Sequence, residues 1–178
     1  MSKLSVVLVG HGVPASDCPA ELIGELMGLQ WGAGGGHHGG AAGSGRIAER
    51  IAQLDAKIRD WPRHAGNDPY KEGLERLAAT LRPMLSCDLF VIAYNEFCRP
   101  SVPEALEQVI GQGAARILVI SSMVTPGGVH SERDIPHAVD AVRKKHPAVS
   151  IEYLWPFDLK EVADLFAGRI QQASDAKV

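Results

Sequence analysis

His11, Glu96 and His130 are the residues whose types and placement most readily support chemistry. Each follows an apolar run: His11 stands between two glycines after Leu4–Val9, Glu96 lies just past Leu89–Tyr94, and His130 follows Ile117–Ser121 by a short segment. In an open α/β sheet, ligands bind beyond the carboxyl ends of the strands, where loops converge without disturbing the core. Two imidazoles and one carboxylate form a usual ligand set for a divalent first-row metal ion that keeps open positions. Neutral imidazole also accepts protons near pH 7, so the same side chains can hold an ion and relay protons. Each residue has an ordinary structural alternative. His11 could be a satisfied histidine at a strand end, and Glu96 could cap the helix expected near Ser101 or pair with Arg99. His130 could cap the helix behind Ser131. Convergence of three independent strand ends on one side favours the metal reading.

The elements that must position these residues follow from periodicity. Leu4–Val9, Leu89–Tyr94, Ile117–Ser121 and Ile151–Leu154 are short apolar, β-rich runs, as in strands buried on both faces of a parallel sheet. Between them, Tyr70–Leu85, Val102–Ile110 and Ile135–Val142 carry apolar residues at three- and four-residue spacing, and Leu159–Ile170 adds a last amphipathic helix. This order predicts an α/β fold: a four-stranded parallel sheet with helices on both faces, layered as in doubly wound folds. The stretch between the first two strands is too long for one crossover. Residues 14–68 read as an insertion on a single domain spanning 1–178, with helical patterns over Glu21–Leu29 and Arg46–Trp61. Between these the Gly-rich run 32–45 is expected to be a mobile loop. His37 and His38 in that loop are expected to be solvated, since a loop without fixed geometry selects metals poorly.

Composition narrows the function classes. With 46% hydrophobic and 22% charged residues the chain can bury a core, and a net charge of −3 provides no global basic field for nucleic acid. Charged or polar residues interrupt every apolar run well before membrane-spanning length, and the apolar start reads as a strand. Cys18, Cys87 and Cys98 contain no CxxC pair, so a disulfide framework is not expected and a reducing, cytosolic setting is. Two nucleotide templates fail. Gly34, Gly36 and Gly39 satisfy GxGxxG formally, but a helical segment precedes them where a strand is required. Gly40–Arg46 approaches a phosphate-binding loop, yet Arg46-Ile47 stands where Lys and Ser or Thr must hold phosphate and Mg²⁺. No serine lies in a GxSxG elbow.

The motif residues resemble a known family. His11-Gly12 closing the first strand, the run Ala93-Tyr94-Asn95-Glu96-Phe97-Cys98-Arg99-Pro100-Ser101, and Gly128-Val129-His130-Ser131-Glu132-Arg133-Asp134-Ile135-Pro136 resemble the sirohydrochlorin cobaltochelatases and ferrochelatases, the small class II tetrapyrrole chelatases. The likeness covers the first strand and most of the chain from Leu89 onward, and leaves the insertion outside. It implies a chelatase-like fold, a homodimer, and ATP-independent insertion of Co²⁺, Fe²⁺ or Ni²⁺ into sirohydrochlorin or a related tetrapyrrole, on routes to cobalamin or sirohaem. His11 and His130 would then be metal-binding and catalytic, with Glu96 the acidic residue beside the metal, able to take the second pyrrole proton. The metal is substrate here, and no nucleotide cofactor is implied. A substrate fringed by carboxylates needs cations at its rim, and Arg99 and Arg133 are the candidates. Tyr94 and Trp155, at strand ends, could flank a flat ring, although core packing is the commoner role for such residues. The runner-up is a metal or tetrapyrrole carrier with the same site and no turnover. Metal-assisted hydrolysis by two histidines and a glutamate is a third chemistry, without a His-Glu-x-x-His helix to support it. His64, His137 and His146 receive no chemical role.

Overall fold

The computed structural model describes residues 3–35 and 41–175. Strand β1 (Lys3–Gly10) runs parallel to β2 (Leu89–Tyr94) on one side and β3 (Ala114–Ser121) on the other, and β4 (Ser150–Tyr153) adds beyond β3. The order is β2-β1-β3-β4. Because the chain leaves β1 first towards one side and later crosses to the other, its direction of winding reverses beside β1. Such a switch point opens a crevice at the carboxyl ends of the strands.

Side chains alternate across the sheet, so neighbouring residues of β1 feed different layers. Val7 and Val9 pack with Ile117 and Val119 beneath helices α4 (Val102–Gly111) and α5 (Ile135–Lys145), whose Leu106, Val109, Val139 and Val142 complete the larger core. Leu8 points the other way, into a cluster with Tyr94, Cys98 and with Leu74 and Ala78 of α3 (Pro69–Leu81). Both faces are therefore covered, as the uninterrupted apolar strands require. Helix α4 starts on a capping box: Ser101 accepts from the Glu104 backbone N–H, and the Glu104 carboxylate accepts in return from the Ser101 N–H at 2.8 Å.

The long interval between β1 and β2 holds a helical hairpin followed by α3, which is the crossover helix proper. Helices α1 (Ala20–Gly35) and α2 (Ala41–Arg59) pack through Leu26, Leu54 and Ile58, with Ala15, Cys18 and Phe97 closing the cluster. Part of the run 32–45, expected as a loop, is helical, because α1 continues to Gly35 and α2 begins at Ala41. Residues 36–40, including His37 and His38, lie outside the described residues. The last helix, α6 (Leu159–Asp175), has no buried residue, and Leu165, Phe166 and Ile170 are exposed. Among the described residues no helix is long and apolar enough to cross a membrane.

Candidate metal centre

The strand ladders continue one step past the sheet and carry the three expected residues to one point. The Asn95 N–H donates to Gly10 O at 2.9 Å and the Glu96 N–H to His11 O at 2.8 Å, binding the loop after β2 to the loop after β1. Ser122 N–H, after β3, donates to Val9 O at 2.8 Å. Gly12 permits this approach: its φ is +85°, and a Cβ there would lie 1.9 Å from Glu96 O. Only glycine meets both conditions, which accounts for the His-Gly pair.

Ligand atoms of His11, Glu96 and His130 lie within 4.8 Å of one another. The two imidazoles meet edge to face, with centroids 4.7 Å apart and an interplanar angle of 84°. Glu96 Oε2 is 4.0 Å from Nε2 of each. Hydrogen bonds to the other ring nitrogens fix the tautomers. His11 Nδ1 lies 2.5 Å from Gly12 O, an atom that can only accept, so Nδ1 carries the proton. His130 Nδ1 lies 2.8 Å from Asp134 Oδ2 and likewise donates. Both Nε2 lone pairs are thereby left free and facing the Glu96 carboxylate, a preformed three-donor cradle for a cation. All three side chains are partly exposed, so the open positions face solvent.

Asp134 is a member of this site that spacing alone did not single out. The segment His130–Asp134 is a π-helical turn running into α5, and it brings residues four apart into contact. The Asn95 amide nitrogen, Nδ2, also lies 2.8 Å from His130 Nδ1, so the loop after β2 touches this ring directly. Burial pushes the Asp134 carboxyl up, but the hydrogen bonds from His130 and Arg133 outweigh it and hold the group below its ordinary value. It is thus an anion beside the imidazole at neutral pH. The available sequence signal was the His-x-x-x-Asp spacing at a helix start. Tyr70 on α3 completes the support, its hydroxyl accepting from the His11 N–H at 2.7 Å.

The capping and pairing alternatives for Glu96 and His130 are not realised. Ser101 and Glu104 cap α4, and Arg99 pairs with Asp60 and Glu104 rather than with Glu96. His130 makes no cap hydrogen bond. The rim residues fare unevenly. Arg133 is exposed and pairs with Asp134 at 3.0 Å. Arg99 lines a cavity of about 530 Å³ between the α1–α2 hairpin and α4, which Asn95, Glu96 and Asp134 also line, but its charge is answered by two carboxylates. Tyr94 is a correction to the sequence reading. It is 1% exposed, packed against Leu8, Leu74 and Cys98, and burial pushes its phenol up; it belongs to the core and does not flank the opening. As the last residue of β2, its side chain follows the alternation of the strand into the sheet layer. Trp155 stacks on Tyr153, with centroids 6.2 Å apart, and meets Phe157 edge to face at the end of β4. His64 and His146 are engaged with Asn67 and Gly66 and with Glu107, respectively.

Known proteins share parts of this sequence and its fold. The CbiX family model matches residues 65–173, well over half of the chain, including Glu96 and His130. A sirohydrochlorin cobaltochelatase of Priestia megaterium is 28% identical over 113 residues, covering 63% of this chain and 37% of that protein. One of Methanocaldococcus jannaschii is 33% identical over 84 residues, covering 47% of this chain and 58% of its own length. The chain thus spans about two fifths to three fifths of these curated relatives. A crystal structure of a CbiX protein from Marinobacter aquaeolei VT8 superposes with a TM-score of 0.53 at 17% identity, over 98% of this chain and 99% of that one, which shows a shared fold. With its parallel sheet, its match over residues 65–173 and its relatives all pointing one way, the chain belongs to the CbiX family.

Proposed function

We propose that this protein inserts a divalent metal ion, Co²⁺, Fe²⁺ or Ni²⁺, into sirohydrochlorin or a related tetrapyrrole without ATP, on a route to cobalamin or sirohaem. The observation that carries this reading is the pair of Nε2 lone pairs and the carboxylate oxygen aimed at one open point from three strand ends. Relatives named sirohydrochlorin cobaltochelatase and sirohydrochlorin ferrochelatase support the substrate and the reaction.

Metal insertion exchanges one M²⁺ for two pyrrole protons. The ion must lose water, meet the ring nitrogens and leave its carrier. Three protein donors suit that task better than a closed set of four, because the open positions admit the macrocycle. His11 and His130 would hold the incoming ion through Nε2 and, once it has passed to the ring, take up protons at the same atoms. Glu96 would offset the ion's charge and accept a proton in turn. Asp134 keeps the His130 lone pair on Nε2 and stabilises its protonated form. Arg133, exposed beside the site, is the rim cation best placed to meet a ring carboxylate. Arg99 would do so only by exchanging its present partners.

The same reading takes the protein as a homodimer in the reducing cytosol. The uncovered apolar face of α6 and the free state of Cys18, Cys87 and Cys98 support it. The deciding experiment is anaerobic incubation with sirohydrochlorin and each metal, following the absorption spectrum through many equivalents. Multiple turnover is expected. A stop after one equivalent identifies a carrier and overturns the enzymatic reading.

A further inference from the structure

The loop that carries Glu96 has an unusual way of satisfying its backbone. Between β2 and α4 the chain leaves the sheet, and Phe97 has φ +55°. Glu96 O accepts from the Cys98 N–H at 2.6 Å, closing a tight reversal around that residue. The other three carbonyls of residues 95–98 turn towards the segment between β1 and α3, where two arginines meet them. Arg59, the last residue of α2, donates from Nη1 to Cys98 O at 2.9 Å and from Nη2 to Asn95 O at 3.0 Å. Its Nε is held by Asp55 Oδ2 at 2.7 Å, one turn back on the helix. Arg63 donates to Phe97 O at 2.5 Å and to Val13 O at 2.8 Å, and pairs with the buried Asp68. The side chains of Arg59 and Arg63 are 12% and 7% exposed, so these bonds replace water rather than compete with it.

We infer that Arg59 and Arg63 are positioning residues for the metal cluster, and that holding the Glu96 loop is a function of the helical insertion. A single guanidinium, that of Arg63, spans the two loops bearing His11 and Glu96. Arg59 fixes the carbonyl of Asn95, whose amide touches His130. Together they determine where the Glu96 carboxylate stands relative to the two Nε2 atoms. A planar fork with several donors suits the task, because two carbonyls must be met at once from one anchored side chain. The inference rests on the metal-site reading for its consequence, though not for its geometry.

Arg59 is the better probe, since it lies at the end of its helix and Arg63 is more deeply enclosed. In the full chain, Co²⁺ titrations would be followed by the ligand-field absorption bands of wild type, Arg59→Ala, Arg59→Lys, Glu96→Gln and the double variant Arg59→Ala/Glu96→Gln. Arg59→Ala is expected to weaken Co²⁺ binding by about 10-fold or more, the range found when supporting partners of metal ligands are lost, and to alter the band intensities. Arg59→Lys should recover part of the loss. In the Glu96→Gln background the same change should add little. Unaltered affinity and spectrum in Arg59→Ala, or an equal loss with and without Glu96, overturns the inference. Amide hydrogen exchange tests the clamp without metal: the Glu96 and Cys98 N–H groups should exchange faster in Arg59→Ala while those of β3 do not change. Equal exchange overturns the clamp. Faster exchange in a protein whose wild type binds no Co²⁺ upholds the clamp and removes the metal reading instead.

Discussion

A metal-binding histidine almost always has its other ring nitrogen committed elsewhere, and for both candidate ligands that commitment is visible. Gly12 O engages Nδ1 of His11, and Asp134 engages Nδ1 of His130. The second is the more easily altered, because it is a side chain. Asp134→Asn keeps the shape but removes the charge and allows the amide to present a donor, favouring the wrong tautomer. The expected result is a loss of Co²⁺ affinity of about 10- to 100-fold, measured by calorimetry, with unfolding by denaturant little changed. His130→Ala should cost more than Asp134→Asn in the same titration, since it removes the ligand itself. His11 and His130 were legible in the sequence because each stands after an apolar run. Asp134 was less so, since an i, i+4 contact at a helix start is made by many residue pairs and only the fold shows that this one meets a candidate ligand.

Elements determine how accurately the site is held. Helix α4 begins directly after the Glu96 loop, and its capping box fixes where that loop ends. Ser101→Ala removes one half of the box and should destabilise the protein by about 1 kcal/mol, read from the midpoint of a urea transition at unchanged slope. Strand β2 and helix α3 enclose Cys98, which has no exposed surface; burial pushes its thiol up to about 11. With the folded group above its ordinary value, the native state retains the proton longer than the unfolded chain. That contribution is whole below the ordinary thiol range and is lost as pH rises through it towards 11. Native stability should therefore decline on this alkaline side, and Cys98→Ala should flatten the decline. The strands were readable to within a residue at every end but one, since a parallel strand covered on both faces is a continuous apolar run. Strand β3 begins at Ala114 rather than Ile117, because its first residues include the exposed Ala115 and Arg116. The helices of the insertion were less legible at their facing ends: residues 32–35 and 41–45, expected in a loop, belong to α1 and α2. Glycine disfavours helix locally, but Leu26 packing with Leu54 and Ile58 sustains both helices.

At the scale of the whole molecule, α6 is the part left unsatisfied. Its periodic apolar residues predict burial, yet Leu165, Phe166 and Ile170 remain exposed in the single chain. The proposed homodimer would account for both facts if it covers α6. Phe166→Glu with Ile170→Glu should give a folded monomer by sedimentation velocity where the wild type sediments as a dimer. If the wild type itself sediments as a monomer, the homodimer is wrong.

Sequence by itself determined the class of the fold and pointed to three candidate donors, which the fold brings within 4.8 Å of one another. Burial on both faces needs apolar runs, amphipathic helices need their three- and four-residue spacing, and metal chemistry needs histidine and carboxylate in identifiable places. It also marked Gly12, although only the close approach of Glu96 O shows why no side chain is permitted there. Tertiary structure decided the rest: that Tyr94 turns inward, that Arg99 is taken by Asp60 and Glu104, that Asp134 orients His130, and that Arg59 and Arg63 hold the Glu96 loop. The physical reason is common to all four. Each role depends on which backbone carbonyl, carboxylate or ring lies within a few ångströms through space: partners tens of residues apart leave no periodic trace along the chain, and a pair only four apart, such as His130 and Asp134, leaves one that many helix starts share.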